Sequence, residues 1–305
     1  DYFDEDRSGI FLQSSSIPEI AGLVNKPWIN VGKMHNRGID ASLDYHQKIG
    51  QVDVTARANF TYAHNTILDN DQPEWEYAYQ NRIGQSNWQT FGLVADGLFQ
   101  SQEEIDAWPT QKFGEVKPGD IRYVDINGDG VVDDYDKKPI GFPDVPEISY
   151  GFGASVRWKG IDVSIFFQGI DNVNFFINNS YTQPFIANKT RHSNVFADLY
   201  GNYWTEDNRD AKYPRLTIGS NTNNNQASKF WMVDGRYIRL KNAEIGYTLP
   251  KRITNRAHID RLRIYISGVN LLTFAPFKLW DPDLQTGAAG YPNNRVYNIG
   301  ATLVF

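Results

Sequence analysis

Apolar and polar residues alternate along several stretches of the chain. From 39 to 46 the odd positions are apolar and the even positions are polar or charged. Beyond a turn at 48–51, the even positions from 52 to 62 are apolar and the odd positions are polar. Because successive side chains of a strand point to opposite faces, this period of two predicts antiparallel strands with one apolar and one polar face.

Short and long connections join the predicted strands. The turns at 48–51, 159–160 and 250–258 are short, whereas the connections at roughly 64–147, 169–236 and 273–291 are long. Compact soluble domains favour uniformly short connections, while outer-membrane barrels have short turns on one side and longer loops on the other. The pattern predicts eight strands, at about 2–12, 36–47, 51–63, 148–158, 161–170, 237–249, 260–272 and 295–305.

Two all-β folds are consistent with this alternation. In a soluble sandwich the apolar face would be the core, whereas in a transmembrane barrel it would contact lipid. The unequal connections favour the barrel, and so does a last strand of about ten residues that ends on Phe305, a suitable length for crossing a bilayer. Aromatic residues near strand ends, where a membrane interface would lie, also favour it: Tyr45, Tyr62, Tyr150, Trp158 and Tyr247. Because the loops are too large for an eight-stranded frame, we expect a piece of a larger barrel.

Composition limits the classes of function. The 305 residues include 17 Tyr, 18 Phe and 8 Trp, which suits strands, and no Cys, which excludes disulfides and thiolate metal sites. The net charge of −6 is spread along the chain without clusters of Lys and Arg, so we expect no nucleic-acid partner. No apolar run suits a transmembrane helix, and the mean hydropathy of −0.51 is also compatible with alternating barrel strands. The chain starts at Asp1 without a leader, so we expect a mature or truncated piece.

An ordered set of motifs resembles a known family. The set comprises "DYFDEDRSGIFL", "GLFQSQEEIDAW", "KPGDIRYVDINGDGVVDDYDKKPIG", "YGFGASVRWKGIDVSIFFQG", "YWTEDNRDAKYPRL", "VDGRYIRLKNAEIGYTLP", "RIYISGVNLLTF" and "GYPNNRVYNIGATLVF". Together these segments resemble the C-terminal part of the SusC/RagA family, the TonB-linked outer-membrane transporters of Bacteroidetes. The likeness runs through essentially all of the chain.

The resemblance implies a fold and a set of partners. It implies that residues 1–305 are the C-terminal portion of a β-barrel, the last ~8 strands of a 22-stranded barrel, with long extracellular loops at 64–147 and 169–236. It also implies a multi-pass protein of the outer membrane that imports an oligosaccharide, other glycan or peptides. The implied partners are a SusD-like surface lipoprotein lid, TonB, a plug domain, the remaining barrel strands and outer-membrane lipid. The plug and the TonB-contacting segment are expected to lie outside this chain.

Residues 125–136 have the spacing of a calcium-binding loop. Calcium loops place oxygen ligands at positions 1, 3, 5, 7, 9 and 12, with Gly at position 6 for the sharp turn. Gly130 occupies position 6, and an Asp replaces the usual Glu at position 12. The candidate ligands are Asp125, Asn127, Asp129, the backbone carbonyl of Val131, Asp133 and Asp136. We expect a structural Ca²⁺ that stabilises a long loop, although an acidic turn-rich loop without metal has the same composition.

No catalytic motif stands out, so we expect no enzyme. The five His residues have no close ligand spacing, and no G-x-S-x-G sequence is present. A surface glycoside hydrolase and a secreted, calcium-stabilised β-sandwich that binds glycans are the alternative hypotheses. Polar residues predicted to face a barrel interior are Asp40, Asp44, Asp53, Arg57, Asn59, Asp162, Arg261 and Arg263.

The long loops hold further candidates. Their aromatic residues either bind sugar rings or a lid protein, or pack the loops together: Trp75, Trp88, Trp108, Tyr181, Phe185, Trp204, Trp231 and Trp280. The Asn-rich segment 219–230 is predicted to be an exposed, mobile tip. None of these residues is assigned to substrate binding.

Overall fold

The eight alternating stretches form one antiparallel sheet in which each strand pairs with its neighbours in chain order. A computed structural model describes residues 1–17, 20, 22–178, 182–185, 196–287 and 290–305. The strands of this sheet are β1 (Tyr2–Gln13), β2 (Trp28–Ile49), β3 (Val52–Asp69), β10 (Ile148–Trp158), β11 (Ile161–Asp171), β14 (Tyr237–Thr248), β15 (Arg261–Phe274) and β16 (Val296–Val304). The all-β fold with a large antiparallel sheet is confirmed.

Short elements lie in the connections between these strands. They are β4 (Phe91–Gly92), β5 (Ala95–Leu98), β6 (Thr110–Gln111), β7 (Ile121–Tyr123), β8 (Val131–Val132), β9 (Lys138–Pro139), β12 (Asn174–Phe176) and β13 (Met232–Asp234), with the helices α1 (Gln102–Ala107) and α2 (Lys251–Thr254). Single 3₁₀ turns occupy Ala78–Gln80, Asp134–Asp136, Asn255–Ala257 and Pro282–Leu284. Within the described part of the chain, no helix is both long and apolar enough to span a membrane.

The pairing register places the apolar residues of neighbouring strands on one face. Phe152 of β10 lies opposite both Ala58 of β3 and Phe167 of β11. Ile245 of β14 lies opposite Ile266 of β15. Because directly opposed residues share a face, the period of two along each strand becomes one continuous apolar face across the sheet.

This apolar face is exposed. Leu43, Ile165, Ile266 and Ile299 are 60%, 44%, 53% and 82% exposed. A soluble sandwich would cover such a face with a second sheet, and none of the other sheets in the described residues has more than two strands. The secreted β-sandwich is therefore not favoured.

All long connections leave the sheet at one end. Residues 14–27, 70–147, 172–236 and 275–295 join strands at this end, whereas 50–51, 159–160 and 249–260 join them at the other. The difference matches the predicted alternation of connections, with two adjustments. β2 begins at Trp28, earlier than predicted, and β3 continues to Asp69, because both strands extend beyond the sheet segment paired with β10.

The buried core lies in the connections rather than on the sheet. We call the described residues of 70–147, 172–236 and 275–295 the loop layer. Twelve buried apolar residues cluster there: Leu93, Leu98, Ile121, Tyr123, Val132, Phe175, Ile177, Leu199, Trp204, Tyr213, Trp231 and Phe277. Since these residues come from three separate connections, hydrophobic burial joins the long loops into one packed layer at the end of the sheet.

Candidate functional site

The candidate calcium loop 125–136 contains two glycines with a left-handed backbone. Gly128 and Gly130 have φ of 76° and 83°, which is the left-handed region that glycine adopts without strain. The carboxylate of Asp125 accepts hydrogen bonds from both of these glycine N–H groups, at 2.7 and 2.9 Å. The first ligand position is therefore held at the centre of the turn.

The other candidate ligands also accept hydrogen bonds from the loop backbone. Asn127 accepts from the N–H of Asp129, and Asp129 from the N–H of Val131, at 3.1 and 2.8 Å. Asp136 is fully buried and accepts from the N–H groups of Ile126 and Asp133, at 2.7 and 2.8 Å. Among the described residues, no three His, Asp or Glu side chains converge as a metal-binding group. The left-handed φ of Gly130 is what position 6 of a calcium loop requires, while the side chains are placed for hydrogen bonding within the loop.

Asp133, the candidate at position 9, faces a cation of the protein. Its carboxylate accepts from the N–H of Tyr135 at 2.9 Å and lies 3.3 Å from Nζ of Lys112. A lysine ammonium at this distance neutralises part of the charge that would attract Ca²⁺. Asp133 is therefore less available to a metal ion than its spacing suggests.

A cluster of tyrosines packs beside this loop. Tyr77 stacks on Tyr79 and meets the ring of Tyr135 edge to face, and its hydroxyl accepts a hydrogen bond from Asn127 at 3.2 Å. Burial, the charge of Asp136 and the neighbouring Tyr77 raise the pKa of Tyr79 to about 12. The acidic loop and the three tyrosines thus form one unit on the loop layer.

The polar face of the sheet carries charged and polar side chains that contact one another. Asp44 lies 3.0 Å from Arg57, and Asp40 accepts a hydrogen bond from Thr61 at 3.0 Å. Asp53 lies 2.6 Å from His46. These pairs connect neighbouring strands across a face that shares no residues with the apolar one.

Arg263 links three strands on this polar face. Its guanidinium on β15 binds Asp162 of β11 in a two-pronged contact and lies 2.5 Å from Glu244 of β14. The arginine side chain is 15% exposed, so these contacts are partly shielded from water. Two-pronged arginine–carboxylate contacts are among the strongest polar interactions in proteins.

Arg157 and Arg261 lie near this cluster without an ion-pair partner among the described residues. Both line a concave region of about 820 Å³ on the polar face, together with Arg57, Asp162 and Arg263. Asn59 occupies the same face, opposite Ser42 and Gly151 in the register. All eight residues predicted for a barrel interior therefore share the polar face.

Sequence reasoning missed the polar centre of the loop layer. Asp120 is fully buried and accepts hydrogen bonds from Arg215, Asn221 and Asn224, at 3.0, 2.8 and 2.8 Å. Gln111 donates to Asn223 at 2.7 Å and to the carbonyl of Ile121 at 3.0 Å. This network joins the connection 70–147 to the connection 172–236.

The prediction that 219–230 is an exposed, mobile tip is wrong. Asn223 and Ser228 are fully buried, and Asn224 is nearly so. The side-chain carbonyl of Asn224 accepts from the N–H of Ile121 at 2.8 Å, and its backbone carbonyl accepts from the indole of Trp231 at 2.6 Å. Amide side chains bury well when every donor and acceptor is paired, and the density of Asn in 221–225 is the only sequence signal of this role.

A second missed feature anchors the connection 275–295. Arg239 is 2% exposed and lies 2.5 Å from both Asp281 and Asp283. Its Nε donates to Thr273 at 2.9 Å. Since the carboxylates belong to the loop and the arginine to β14, this buried cluster fixes the loop against the sheet.

The loop aromatics divide into two groups. Trp231 and Trp204 belong to the buried core, Trp280 packs against Phe277 of that core, and Trp108 packs against the buried Phe99. Trp75, Trp88 and Phe185 are 39%, 53% and 40% exposed, and Tyr181 lies outside the described residues. Packing of the loops accounts for the first group, while Trp75, Trp88 and Phe185 are accessible to a ligand or partner.

Comparison with known proteins identifies the relatives of this chain. No protein-family profile matches it. TonB-dependent receptor P3 of Formosa agariphila is 27% identical over 95% of the chain, and SusC of Bacteroides thetaiotaomicron is 22% identical over 96%. The chain is similar to TonB-dependent receptors over almost its whole length. It spans about 30% of the length of these relatives. The resemblance to SusC/RagA proteins is thereby confirmed.

Solved structures of the RagAB peptide transporter share this fold. The structure of the RagAB peptide transporter superposes with a TM-score of 0.72 at 24% identity and covers 99% of this chain and 32% of the matched chain. The RagAB peptide importer in its open-open state gives a TM-score of 0.70 at 23% identity. The relatives are receptors and transporters rather than enzymes, as expected from the sequence.

Proposed function

We propose that the chain forms part of the wall of an outer-membrane barrel that imports a nutrient in a TonB-dependent manner. One observation carries the proposal: a single sheet whose apolar face is exposed and whose opposite face carries ion pairs such as Arg263 with Asp162 and Glu244. Lipid satisfies an exposed apolar face, and a wide polar interior accommodates charge on the other. The homology to TonB-dependent receptors supports the energy source.

The unequal connections support an orientation. The loop layer would lie outside the cell and the short turns at 50–51, 159–160 and 249–260 would face the periplasm, since outer-membrane barrels place their longer loops outside. On this orientation 64–147 and 169–236 are extracellular loops. The exposed Trp75, Trp88 and Phe185 would then be accessible to ligands outside the cell.

We propose an oligosaccharide or a peptide as the imported nutrient, with a SusD-like surface lipoprotein as the lid. The structure described as the RagAB peptide transporter motivates the peptide, and the resemblance to the SusC/RagA family motivates the oligosaccharide and the lid. The loop layer, whose connections are joined by the Asp120 network, would present its outer surface to such a lid. A plug, TonB and further barrel strands would complete the assembly.

The experiment tests import by the full-length protein in its native outer membrane. A deletion strain is grown on defined oligosaccharides or on peptides as sole nutrient, and uptake is measured before and after complementation. We expect growth on one substrate class to require both this protein and TonB, and a lipoprotein to co-purify in detergent. A protein that is monodisperse without detergent, or uptake unaffected by its deletion, would contradict the proposal.

We also propose that 125–136 binds Ca²⁺ as a structural ion. The ligand spacing and the left-handed turns at Gly128 and Gly130 support this assignment. Asp125, Asn127, Asp129, Asp136 and the carbonyl of Val131 would hold the ion, with Asp133 as a further ligand. When bound, Ca²⁺ would supply charge that holds these oxygens together in the loop.

Calorimetric titration of the chelator-treated protein with CaCl₂ tests this second proposal. We expect one site per chain, and loss of that site in Asp125→Ala. Asp134→Ala is the control, because Asp134 is at a non-ligand position and pairs with Lys137 at 2.6 Å. Absence of heat in the wild-type protein would show that hydrogen bonds alone close the loop.

A further inference from the structure

A groove lies on the apolar face where the sheet meets the loop layer. It has a volume of about 340 Å³, and its lining includes Tyr150, Ile238 and Phe274 from three strands together with Arg236 and Lys278. We call these five residues the rim groove. The rim groove therefore lies where the apolar face meets the basic residues at the loop-layer end of the sheet.

The floor of the rim groove is apolar and shaped by a glycine. Gly169 lies opposite both Tyr150 and Ile238 in the register, and Ile238 lies opposite Phe274. A Cβ at Gly169 would collide with the ring of Tyr150, so the ring leans over the glycine. Phe274 is 55% exposed. The floor is therefore open and offers aromatic and aliphatic contacts.

The upper edge of the rim groove carries positive charge. Arg236 is exposed and lies 3.0 Å from Asp234, whereas Lys278 is exposed and has no ion-pair partner among the described residues. The one acidic residue in the lining, Asp171, accepts a hydrogen bond from the N–H of Asn172 at 2.8 Å. Lys278 is thus the cation of this edge that remains available to a ligand.

We propose that the rim groove binds an anionic membrane lipid through its phosphate. The lipid chains would lie along Ile238 and Phe274, and the phosphate would meet Lys278 with Arg236 beside it. This inference rests on the proposed function, in which the apolar face contacts lipid. It adds a defined site, because the floor is continuous with that face and the two cations of the groove, Arg236 and Lys278, lie on its upper edge. A soluble anion has no apolar part that could contact the floor of the groove.

Aromatic and basic residues at a membrane interface have matching physical roles. Tyrosine rings favour the headgroup level of a bilayer, and each basic residue near an anionic surface contributes about 1 kcal/mol to attraction. Two such residues correspond to roughly thirtyfold in affinity, and the pairing of Arg236 with Asp234 reduces that factor. We therefore expect about tenfold tighter binding of an anionic lipid than of a zwitterionic one.

The experiment measures lipid binding to the full-length protein in detergent by native mass spectrometry. The probes are dioleoyl phosphatidylglycerol, dioleoyl phosphatidylcholine and inorganic phosphate. The variant Arg236→Gln/Lys278→Gln is compared with Lys251→Gln/Arg252→Gln, whose charges lie at the short-turn end. We expect the first variant to lose about tenfold in affinity for phosphatidylglycerol and the second to bind as the wild type does.

Other results would overturn the inference. They are equal binding of the two lipids, equal loss in both variants, or competition by inorganic phosphate as strong as by lipid. Gel mobility before and after heating shows whether each variant is folded, so a folding defect is distinguished from a loss of lipid binding. Phe274→Ala gives an independent test of the site, because it alters only the apolar floor. If all variants still import substrate while lipid selectivity is absent, the rim groove fails and the proposed import function stands.

Discussion

Asn224 and Asp120 are hydrogen-bonded although they lie 104 positions apart in the sequence: Nδ2 of Asn224 donates to Oδ1 of the buried Asp120 at 2.8 Å. The same asparagine accepts from the N–H of Ile121 at 2.8 Å. A side chain that pairs both its donor and its acceptor with a distant segment positions two long connections at once. The loop layer therefore depends on a few amide contacts as well as on its apolar core.

Replacing this asparagine tests the network. Asn224→Ala leaves the N–H of Ile121 without an acceptor and removes a donor from Asp120, and each unpaired buried polar group costs about 1–3 kcal/mol. We expect faster hydrogen exchange in 111–124 and 221–231, with the sheet unchanged. The control is Asn225→Ala, because Asn225 is exposed. Equal exchange in the two variants would contradict the role assigned to Asn224.

The contact of Asp71 with Ser14 and Ser16 is predicted to depend on pH. Its side-chain carboxylate accepts from the hydroxyls of Ser14 and Ser16, at 2.6 and 2.8 Å, which lowers its pKa to about 2. Because the folded-state pKa lies below the ordinary value of 3.8, the stabilisation is complete above that value and is lost as pH falls toward 2. This contact attaches the connection 14–27 to the end of β3.

Proteolysis by pepsin measures this effect. We expect cleavage within the described part of 14–27 to increase between pH 4 and pH 2, and Asp71→Asn to be cleaved readily at both values. Asp144→Asn is the control, since Asp144 is exposed. Cleavage of the wild type that does not change with pH would argue against the contact.

Removing Arg263 tests the polar face. Arg263→Gln leaves Asp162 and Glu244 facing each other without their shared cation, and we expect a loss of about 1–3 kcal/mol in stability. Because both carboxylates are partly exposed to water, the loss of stability is smaller than that of breaking a fully buried ion pair. The measurement is the temperature at which the folded barrel loses its gel mobility in detergent.

Arg261→Gln is the matched control for this change. Arg261 is an arginine on the same strand and the same face, and it has no ion-pair partner among the described residues. We expect the Arg261→Gln variant to melt at the same temperature as the wild type. We also expect the double variant Asp162→Asn/Arg263→Gln to recover part of the stability that Arg263→Gln loses. If the two arginine variants melt at the same temperature, the ion pairs of Arg263 do not stabilise the sheet.

The calcium proposal predicts a local effect. Asp129→Ala should increase protease sensitivity within 125–136 in the presence of CaCl₂ and weaken lid binding, while the barrel remains assembled. The expected cause is loss of one ligand and of the hydrogen bond to the N–H of Val131. Digestion followed by mass spectrometry locates the cleavage, with Asp134→Ala as the control. Unfolding of the whole sheet on chelation would indicate a different role for the ion.

Local alternation was sufficient to predict the sheet. Along 39–46 and 52–62 the side-chain period of two decided both the strands and their two faces, and the short turn between them decided the pairing. The polar-face residues, including Asp53 and Arg57, followed from the same parity. These features depend on neighbouring positions in the chain, so the sequence alone contains them.

The sequence by itself determined the strands, their faces and the candidate calcium spacing. Only the tertiary structure decided what the long connections do: it buried Asn223 and Asn224, and it joined Arg239 to Asp281 and Asp283. The physical reason is that an amide or a charge is tolerated in the interior only when distant groups supply its partners. No local pattern specifies those partners, because they lie in other connections and meet only when the sheet brings the loops together.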